Sequence, residues 1–278
     1  MSYQFIPGKI YRMPTHFGPA LGPRQGLNSK RYDVKNDPKG REFIVSYLTN
    51  KEQLEALCPP GFEPLSEPVV TVNAMYLKEV EWLAGYGYNL LGVSFPARFD
   101  GKEDHLTGDL LLVLWENLAD PIFTGREELG YAKIYCELPE PRICNGTIHC
   151  TASWKGYRFF DLKLNDMVQL SDEELRAPKT APVSDGTFHY KYIPKTEAWG
   201  EDDVAYPVMT PAAWPNKIVE KKWVGSGTVK FHHSEWEDLP TQCHVVNGLA
   251  DLEVKEIRSA TAIQTIGGKD LYDQRILR

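Results

Sequence analysis

The sequence predicts a mainly β (α+β) fold, a large antiparallel β-barrel or sandwich with a few short peripheral helices. Most regular segments are short and rich in β-branched and aromatic residues, which is typical of strands. Dipeptides that favour tight turns separate them, among them Asp100-Gly101, Asn145-Gly146, Lys155-Gly156 and Asn247-Gly248. No linker-like change in composition divides the chain, so we expect a single domain over residues 1–278.

Eight segments carry the strand signal, and two long stretches between them do not. Residues 22–39 are polar and are expected to cross the surface as a loop. Residues 195–217 are rich in proline and acidic side chains, which favours a long loop that serves as a lid or an oligomer arm. The predicted strands are residues 42–48, 69–77, 109–115, 146–154, 157–164, 188–193, 227–232 and 252–265.

Helical spacing is scarce and is limited to two short segments. Residues 51–57 are expected to form a helix that begins after Thr49-Asn50, either of which is a good N-cap. Residues 171–176 form the second predicted helix. There, Ser171 followed by Glu174 three positions later is the pattern of a capping box.

The charge balance excludes one large class of partners. The chain has 38 acidic residues against 31 lysines and arginines, a net charge of −7. A nucleic-acid surface needs clustered basic residues, so we expect no nucleic-acid partner. No stretch approaches the roughly 20 apolar residues that span a bilayer, so no membrane partner is expected either.

The cysteines and the missing motifs indicate a cytoplasmic protein without a cofactor. The five cysteines are odd in number and form no CxxC pair, which argues against a disulfide framework or a zinc site. Prolines interrupt residues 1–23, which lack the apolar core of a secretion signal. The histidines show no HxH or HExxH spacing, and no glycine-rich nucleotide loop is present. We therefore expect neither a metal nor a nucleotide.

Residues 125–134 carry the most informative chemistry. Lys133 stands among apolar neighbours, including Leu129, Tyr131 and Ile134. Burial disfavours the charged form of a lysine and can lower its pKa, and a neutral amine attacks a carbonyl carbon to form an imine. The alternative is a lysine at a strand edge that extends its ammonium group to the surface.

The order of several motifs resembles that of the acetoacetate decarboxylase-like superfamily. Gly125-Arg126-Glu127 followed by Tyr131-Ala132-Lys133 is similar to the family's signature of Gly-Arg-Glu and aromatic-Pro-Lys, with Ala132 in place of proline. Further similar segments keep the family's order over roughly residues 41–262. They are residues 40–43, 59–70, 95–101 and 248–257.

This resemblance implies roles for particular residues. It makes Lys133 the imine-forming residue and Arg41 the group that binds the substrate carboxylate, since a guanidinium fork matches a carboxylate. The alternative for Arg41 is a strand-end arginine paired with Glu42 or another acid. The resemblance also implies a small keto-acid or ketone substrate and a homo-oligomer.

The chain departs from the family at three positions. Ile134 stands where the decarboxylases have a second lysine, so desolvation alone is left to lower the lysine pKa. Asn73 and Leu90 stand where the family has two glutamates near the imine. Other polar groups are then expected to hold the substrate oxygens. The predicted substrate-binding residues are Arg41, Asn73, Tyr88, Asn89, Leu90 and Tyr131.

Three functions follow, and the departures keep all of them open. The first is a cofactor-free lyase that acts on a keto acid or ketone through a Schiff base on Lys133. The second keeps the lysine but replaces decarboxylation with aldolase, dehydratase or cyclase chemistry in secondary metabolism. The third is a non-catalytic barrel that binds small molecules and has lost the decarboxylase carboxylates.

Overall fold

A computed structural model describes residues 4–176 and 184–278. The structure is 46% strand and 14% helix, which confirms the mainly β fold class. The strands are β1 (Lys39–Leu48), β2 (Phe62–Pro64), β3 (Val69–Lys78), β4 (Tyr88–Asp100), β5 (His105–Glu116), β6 (Lys133–Tyr135), β7 (Arg142–Cys144), β8 (Thr147–Trp154), β9 (Tyr157–Gln169), β10 (Gly186–Pro194), β11 (Asp202–Pro211), β12 (Ile218–Phe231), β13 (Glu256–Ile266) and β14 (Arg275–Ile276).

The helices are few and short. In the described ranges, none of them is long or apolar enough to cross a lipid bilayer. The predicted capping box is confirmed, because the backbone N–H of Ser171 donates to Glu174 at 2.7 Å and that of Glu174 donates to the Ser171 hydroxyl at 3.3 Å. The α-helices are α1 (Lys51–Glu55), α2 (Ala119–Thr124), α3 (Asp172–Arg176) and α4 (Cys243–Ala250).

The strands form one sheet in the order β14-β11-β10-β5-β4-β3-β1-β13-β12-β9-β8-β7, with β2 beside β4 and β6 beside β5. The pairing is antiparallel except at β5, which has β10 and β6 as parallel neighbours. The fully antiparallel sheet that we predicted is therefore a mixed sheet. For β6, the reason is its connection from β5, which runs through α2 and so returns the chain in the same direction.

The sheet curls around an aromatic core. The ring of Trp115 on β5 lies 6.1 Å from that of Phe231 on β12 and 5.4 Å from that of Phe159 on β9, although several strands separate β5 from both in the sheet order. The indole Nε1 of Trp115 donates to Gln242 Oε1 at 2.8 Å, at the start of α4. The helix thus packs on the same core as the sheet.

Several segments differ from the sequence prediction, and β4 was not among the predicted strands. Residues 195–217 are not one long loop, because they contain β11, which pairs along β10. Pro207 and Pro211 fit there because β11 has only the two-residue β14 on its other side, and prolines are tolerated where few ladder hydrogen bonds are needed. The strand predicted over residues 252–265 begins only at Glu256, as β13. The turn predicted at Asn247-Gly248 lies inside α4.

Candidate active site

The alternation of side chains sorts the central strands into two faces. Along β3, fully buried residues alternate with half-buried ones. The fully buried face packs on the aromatic core. The other face, which we call the outer face, carries one row of registered positions across four neighbouring strands: Glu42, Met75, Leu90 and Glu116.

Lys133 begins β6 beside this row. Its residue is 8% exposed, and its Nζ lies 2.8 Å from Glu116 Oε1 and donates to the carbonyl oxygen of Pro121 at 3.0 Å. The Tyr131 ring centroid is 5.3 Å from the same nitrogen. The backbone is held as well, because Arg126 Nη1 donates to the Lys133 carbonyl oxygen at 2.8 Å. The amine is therefore kept away from bulk water by fixed partners.

Glu116 is a candidate functional residue that the sequence analysis missed, because it contacts Lys133 in the buried site. Its side chain is completely buried, and Oε2 has no hydrogen-bond partner among the described residues. Burial raises the pKa of the Glu116 carboxyl, while the nearby Lys133 charge lowers it. A carboxyl group whose pKa is raised by burial and lowered by a neighbouring ammonium group can exchange a proton with that group. The sequence does carry a signal for this residue, since Glu116 is an acid that directly follows the apolar run of residues 110–115.

Gly125 provides the space that the Lys133 side chain occupies. It begins the π-helical turn Gly125–Leu129, which continues α2. A Cβ added at Gly125 would lie 2.5 Å from Lys133 Cε and 2.8 Å from Nζ. The backbone itself would accept alanine, because Gly125 has right-handed helical angles.

We therefore expect Gly125→Ala to fold but to move the amine. The added methyl group has to push the Lys133 side chain away from Glu116, so imine formation should fall by roughly tenfold or more, since small displacements of reacting groups carry a large cost. Borohydride trapping of a carbonyl on Lys133 measures this loss. Wild-type trapping in the Gly125→Ala protein would contradict the packing described for the lysine.

A buried histidine completes the surroundings of the amine. His189 on β10 lies against Tyr131, with ring centroids 3.9 Å apart. Its Nε2 is 2.9 Å from Thr210 Oγ1, which is also 2.9 Å from the Tyr131 hydroxyl. Burial, with a further contribution from Lys133, lowers the pKa of His189 to about 3. The imidazole is therefore neutral at physiological pH. Burial also raises the pKa of Tyr131 to about 12.

This histidine should make stability depend on pH. Between about 3 and its ordinary pKa of 6.5, the unfolded chain binds a proton at His189 that the folded chain does not. The free energy of unfolding should therefore decrease as the pH falls through this range, by up to about 1.4 kcal/mol per pH unit more than in a His189→Gln variant. Urea unfolding of both proteins at pH 7, 6 and 5 measures the difference. Parallel profiles would contradict the prediction.

Three predicted substrate-binding residues lie near the amine. Leu90 pairs directly with Glu116 on the neighbouring strand, so the two side chains share the outer face. Tyr88 is half-buried on this face, and the loss of hydration, with Glu116 and Tyr131 adding to it, raises its pKa. Tyr131 packs beside Lys133, as described above. An apolar wall and two phenols thus surround the Lys133–Glu116 pair.

Asn73 lies on the same face but farther away. Asn73 on β3 pairs with Gly92 on β4, and Gly92 pairs with Leu114 on β5. Leu114 in turn pairs with Lys133 on β6. Three strand spacings of about 4.8 Å place the Asn73 backbone roughly 14 Å from that of Lys133. Its Nδ2 donates to Glu42 Oε2 at 3.1 Å, and Glu42 Oε1 accepts from Lys217 at 2.6 Å. Asn73 therefore belongs to a second polar group.

Arg41 and Asn89 are not brought to the lysine, which corrects the sequence prediction. Arg41 alternates with the outer-face residue Glu42, and its half-exposed guanidinium donates to Glu140 Oε2 at 2.8 Å. Asn89 alternates with Leu90, and its Nδ2 donates to the carbonyl oxygen of Leu138 at 2.8 Å. The resemblance placed these residues on β1 and β4, beside residues of the outer face. A shift of one residue along a strand, however, moves a side chain to the opposite face of the sheet.

Other polar groups lie outside this arrangement. Over residues 4–176 and 184–278, one group of three carboxylates comes close enough to hold a metal ion, namely Asp33, Asp37 and Glu81. None of them is among the partners of Lys133. A surface depression of about 570 Å³ is lined by residues such as Arg158 and His232 and includes none of the groups around the lysine.

Comparisons with known proteins agree with this architecture. A solved acetoacetate decarboxylase superposes with a TM-score of 0.65 at 19% identity, covering 86% of this chain and 87% of its own. The acetoacetate decarboxylase of Legionella pneumophila gives 0.62 at 17% identity, covering 92% and 94%. The enduracididine biosynthesis enzyme MppR, solved with pyruvate, gives 0.60 at 15% identity, covering 91% and 95%. At these low sequence identities, the structural similarity shows that this chain shares the fold of these proteins.

The family itself is established by sequence. No curated protein matches the chain at a significant level. The family model described as acetoacetate decarboxylase, however, matches residues 12–270, which include every strand from β1 to β13. The chain belongs to the acetoacetate decarboxylase family.

Proposed function

We propose that this protein is a cofactor-free lyase that acts on a keto acid or ketone through an imine on Lys133. The observation that supports this most strongly is the buried pair of Lys133 and Glu116, with 2.8 Å between Nζ and Oε1. A nucleophile and a proton acceptor are in contact where little water can compete. Membership of the acetoacetate decarboxylase family supports the same reading.

The pair can carry out both halves of imine formation. Glu116 first takes a proton from the Lys133 ammonium group, which its burial favours because burial raises the pKa of the carboxyl. The free amine attacks the substrate carbonyl carbon and forms a carbon–nitrogen bond. Glu116 then returns the proton to the carbinolamine oxygen, which leaves as water, and a protonated imine remains.

The protonated imine accepts the electron pair of a neighbouring bond. In a 3-oxo acid, the bond to the carboxylate breaks, carbon dioxide leaves and an enamine forms. A proton taken up from water through Glu116 goes to the enamine carbon, and hydrolysis of the imine releases the ketone and the free lysine. The apolar side chain of Leu90 favours loss of the charged carboxylate, since it cannot solvate it.

A second candidate is aldol, dehydratase or cyclase chemistry on the same imine. It is favoured by Asn73 and Leu90, which replace the two glutamates expected near the imine of a decarboxylase. The family fold serves such chemistry elsewhere, since MppR has been solved with the condensation product of pyruvate and an imidazole carboxaldehyde. Carbon dioxide release separates the two candidates. Turnover of a 3-oxo acid without carbon dioxide would favour the second.

The test is reductive trapping. The protein is incubated with acetoacetate or with pyruvate, reduced with borohydride, digested and analysed by mass spectrometry. We expect a carbonyl adduct on Lys133 and none on other lysines. The absence of an adduct with every oxo acid tried would overturn the lyase proposal and favour the non-catalytic binding barrel.

A further inference from the structure

One turn of the chain supplies much of the surroundings of the Lys133 amine. The carbonyl oxygen of Pro121 in α2 accepts from its Nζ at 3.0 Å, and Gly125, the first residue of the turn Gly125–Leu129, leaves the space for its side chain. The turn is π-helical, and single π-helical turns are frequent at functional sites. A shift of this turn would therefore move the groups that hold the amine.

Arg12 joins the two ends of this turn. Its Nη1 donates to the hydroxyl of Thr124, the residue before Gly125, and lies 3.2 Å from Oε1 of Glu128 near the other end. Both partners are shielded from solvent, since Thr124 is buried and the Arg12 side chain is 17% exposed. One guanidinium group thus spans the turn, with Gly125 between its two contacts.

Arg24 holds the same carboxylate at its other oxygen. Its Nη2 contacts Oε2 of Glu128, and the Arg24 side chain is 5% exposed, against 14% for that of Glu128. Burial, with a smaller contribution from Arg12, lowers the pKa of Arg24 to about 10, so the guanidinium remains charged at neutral pH. Exposed ion pairs contribute little, whereas loss of one partner from a buried pair leaves an unpaired charge at high cost. This buried ion pair therefore fixes Glu128 in one position.

The two arginines come from one loop of the N-terminal segment, and that loop is braced from within. The side-chain amide of Gln25 binds both backbone groups of Ile10, since Oε1 accepts from its N–H at 3.1 Å and Nε2 donates to its carbonyl oxygen at 3.2 Å. Arg12 adds a hydrogen bond from Nη2 to the carbonyl oxygen of Leu21. Residues 10–25 thus close on themselves and present the two guanidinium groups together.

We propose that the loop of residues 10–25 positions the Lys133 amine, with Arg12 and Arg24 acting through Glu128. The inference rests on the lyase function proposed above and adds positioning residues to it. The arginines act on the amine through the turn that flanks it and do not bind the substrate. With the ion pair intact, the turn keeps the amine in its buried position. Without the ion pair, the turn shifts and the amine loses its fixed geometry.

The kinetics of Arg12→Gln test the positioning role. Single-turnover imine formation on Lys133, quenched with borohydride, should be roughly 10- to 100-fold slower at saturating pyruvate, because a small displacement of the reacting amine carries a cost of this size. The pyruvate concentration that gives half the maximal rate should stay within about twofold of the wild-type value, since Arg12 does not bind the substrate. An unchanged rate constant, or a loss confined to that concentration, would overturn the inference.

A second measurement does not depend on imine chemistry. N-acetoxysuccinimide acetylates accessible lysines, and Lys133 is 8% exposed in the intact protein. We expect Arg12→Gln to speed the acetylation of Lys133 roughly fivefold or more, because the loosened turn opens more often to solvent, and to leave Lys269 unchanged. Faster acetylation in a protein that forms no imine would retain the role of the loop and reject the lyase. Imine formation with equal acetylation and equal rate constants in both proteins would do the reverse.

Matched variants separate positioning from a folding defect. Thr124→Val removes the hydroxyl that Arg12 binds at nearly constant volume, whereas Thr124→Ser retains it. We expect imine formation to be roughly fivefold or more slower in the valine variant than in the serine variant. If Arg12→Gln does not fold, equal rate constants in these two variants overturn the inference. Arg258→Gln is the control and should form the imine at the wild-type rate, since Arg258 on β13 is also shared by two carboxylates, Glu67 at 2.8 Å and Glu256 at 2.9 Å.

Discussion

Lys133→Met should abolish carbonyl trapping and lower turnover on the order of 10⁴-fold or more, because no other side chain can take the place of the nucleophile. Methionine fills a similar volume, so the cavity beside Gly125 stays occupied. Loss of the adduct in the mass spectrum and loss of product formation measure the effect. Lys269→Met is the matched control, since Lys269 is also buried and has its own partners, Pro211 and Asp273.

The same variant should acquire a characteristic dependence of stability on pH. Without Lys133, the charge that lowers the pKa of Glu116 is gone, while burial still raises it. The folded state then binds more protons than the unfolded state as the pH rises above the ordinary carboxyl value of 4.5, and stability declines with rising pH. We expect the decrease in Tm relative to the wild type to be larger at pH 8 than at pH 5. Equal decreases would show that Glu116 is not desolvated.

Glu116→Gln should have the second largest effect, a loss of roughly 10²- to 10⁴-fold in turnover, which is typical for a removed general acid–base group. Glutamine keeps the shape of the side chain but cannot take the proton of the Lys133 ammonium group. Single-turnover trapping at several pH values measures the rate of imine formation directly. The loss should be greatest near neutral pH and smaller in alkaline solution, where hydroxide can deprotonate the amine.

Its matched control is Glu137→Gln. Glu137 is a half-buried glutamate on the following segment that accepts a hydrogen bond from Ser153 at 2.9 Å. We expect this variant to form the imine at the wild-type rate. A Glu116→Gln protein that also trapped pyruvate at the wild-type rate over the whole pH range would remove Glu116 from the mechanism.

Enrichment in β-branched and aromatic residues was enough to predict eight of the strands. The segment of β3 is an example, and the structure buries its alternate residues Val70, Val72, Ala74 and Tyr76. The parallel pairing of β6 and β10 with β5 could not be predicted, because it depends on where residues far apart in sequence return to the sheet. Helix α4 was not predicted either, because Asn247-Gly248 favours a turn, but packing on the core overrides such weak local preferences.

The site was predictable only in part. The resemblance to the family singled out Lys133, which the structure buries beside a carboxylate. It also singled out Arg41, but one step along a strand turns a side chain to the other face, and a motif does not define that step. His189 and Thr210 are isolated in sequence and meet the lysine's surroundings only through the curl of the sheet. No spacing rule connects such residues.

The pairing of Leu90 with Glu116 has a consequence for how relatives of this chain are judged. Set against the glutamates that the family resemblance implies, position 90 is a leucine, and a comparison by position alone would count the acid as lost. In three dimensions Glu116 stands directly opposite Leu90 on the adjoining strand and contacts the amine of Lys133. Surveys of this family for lost activity should therefore score the neighbourhood of the lysine, so that an acidic group on an adjoining strand is counted.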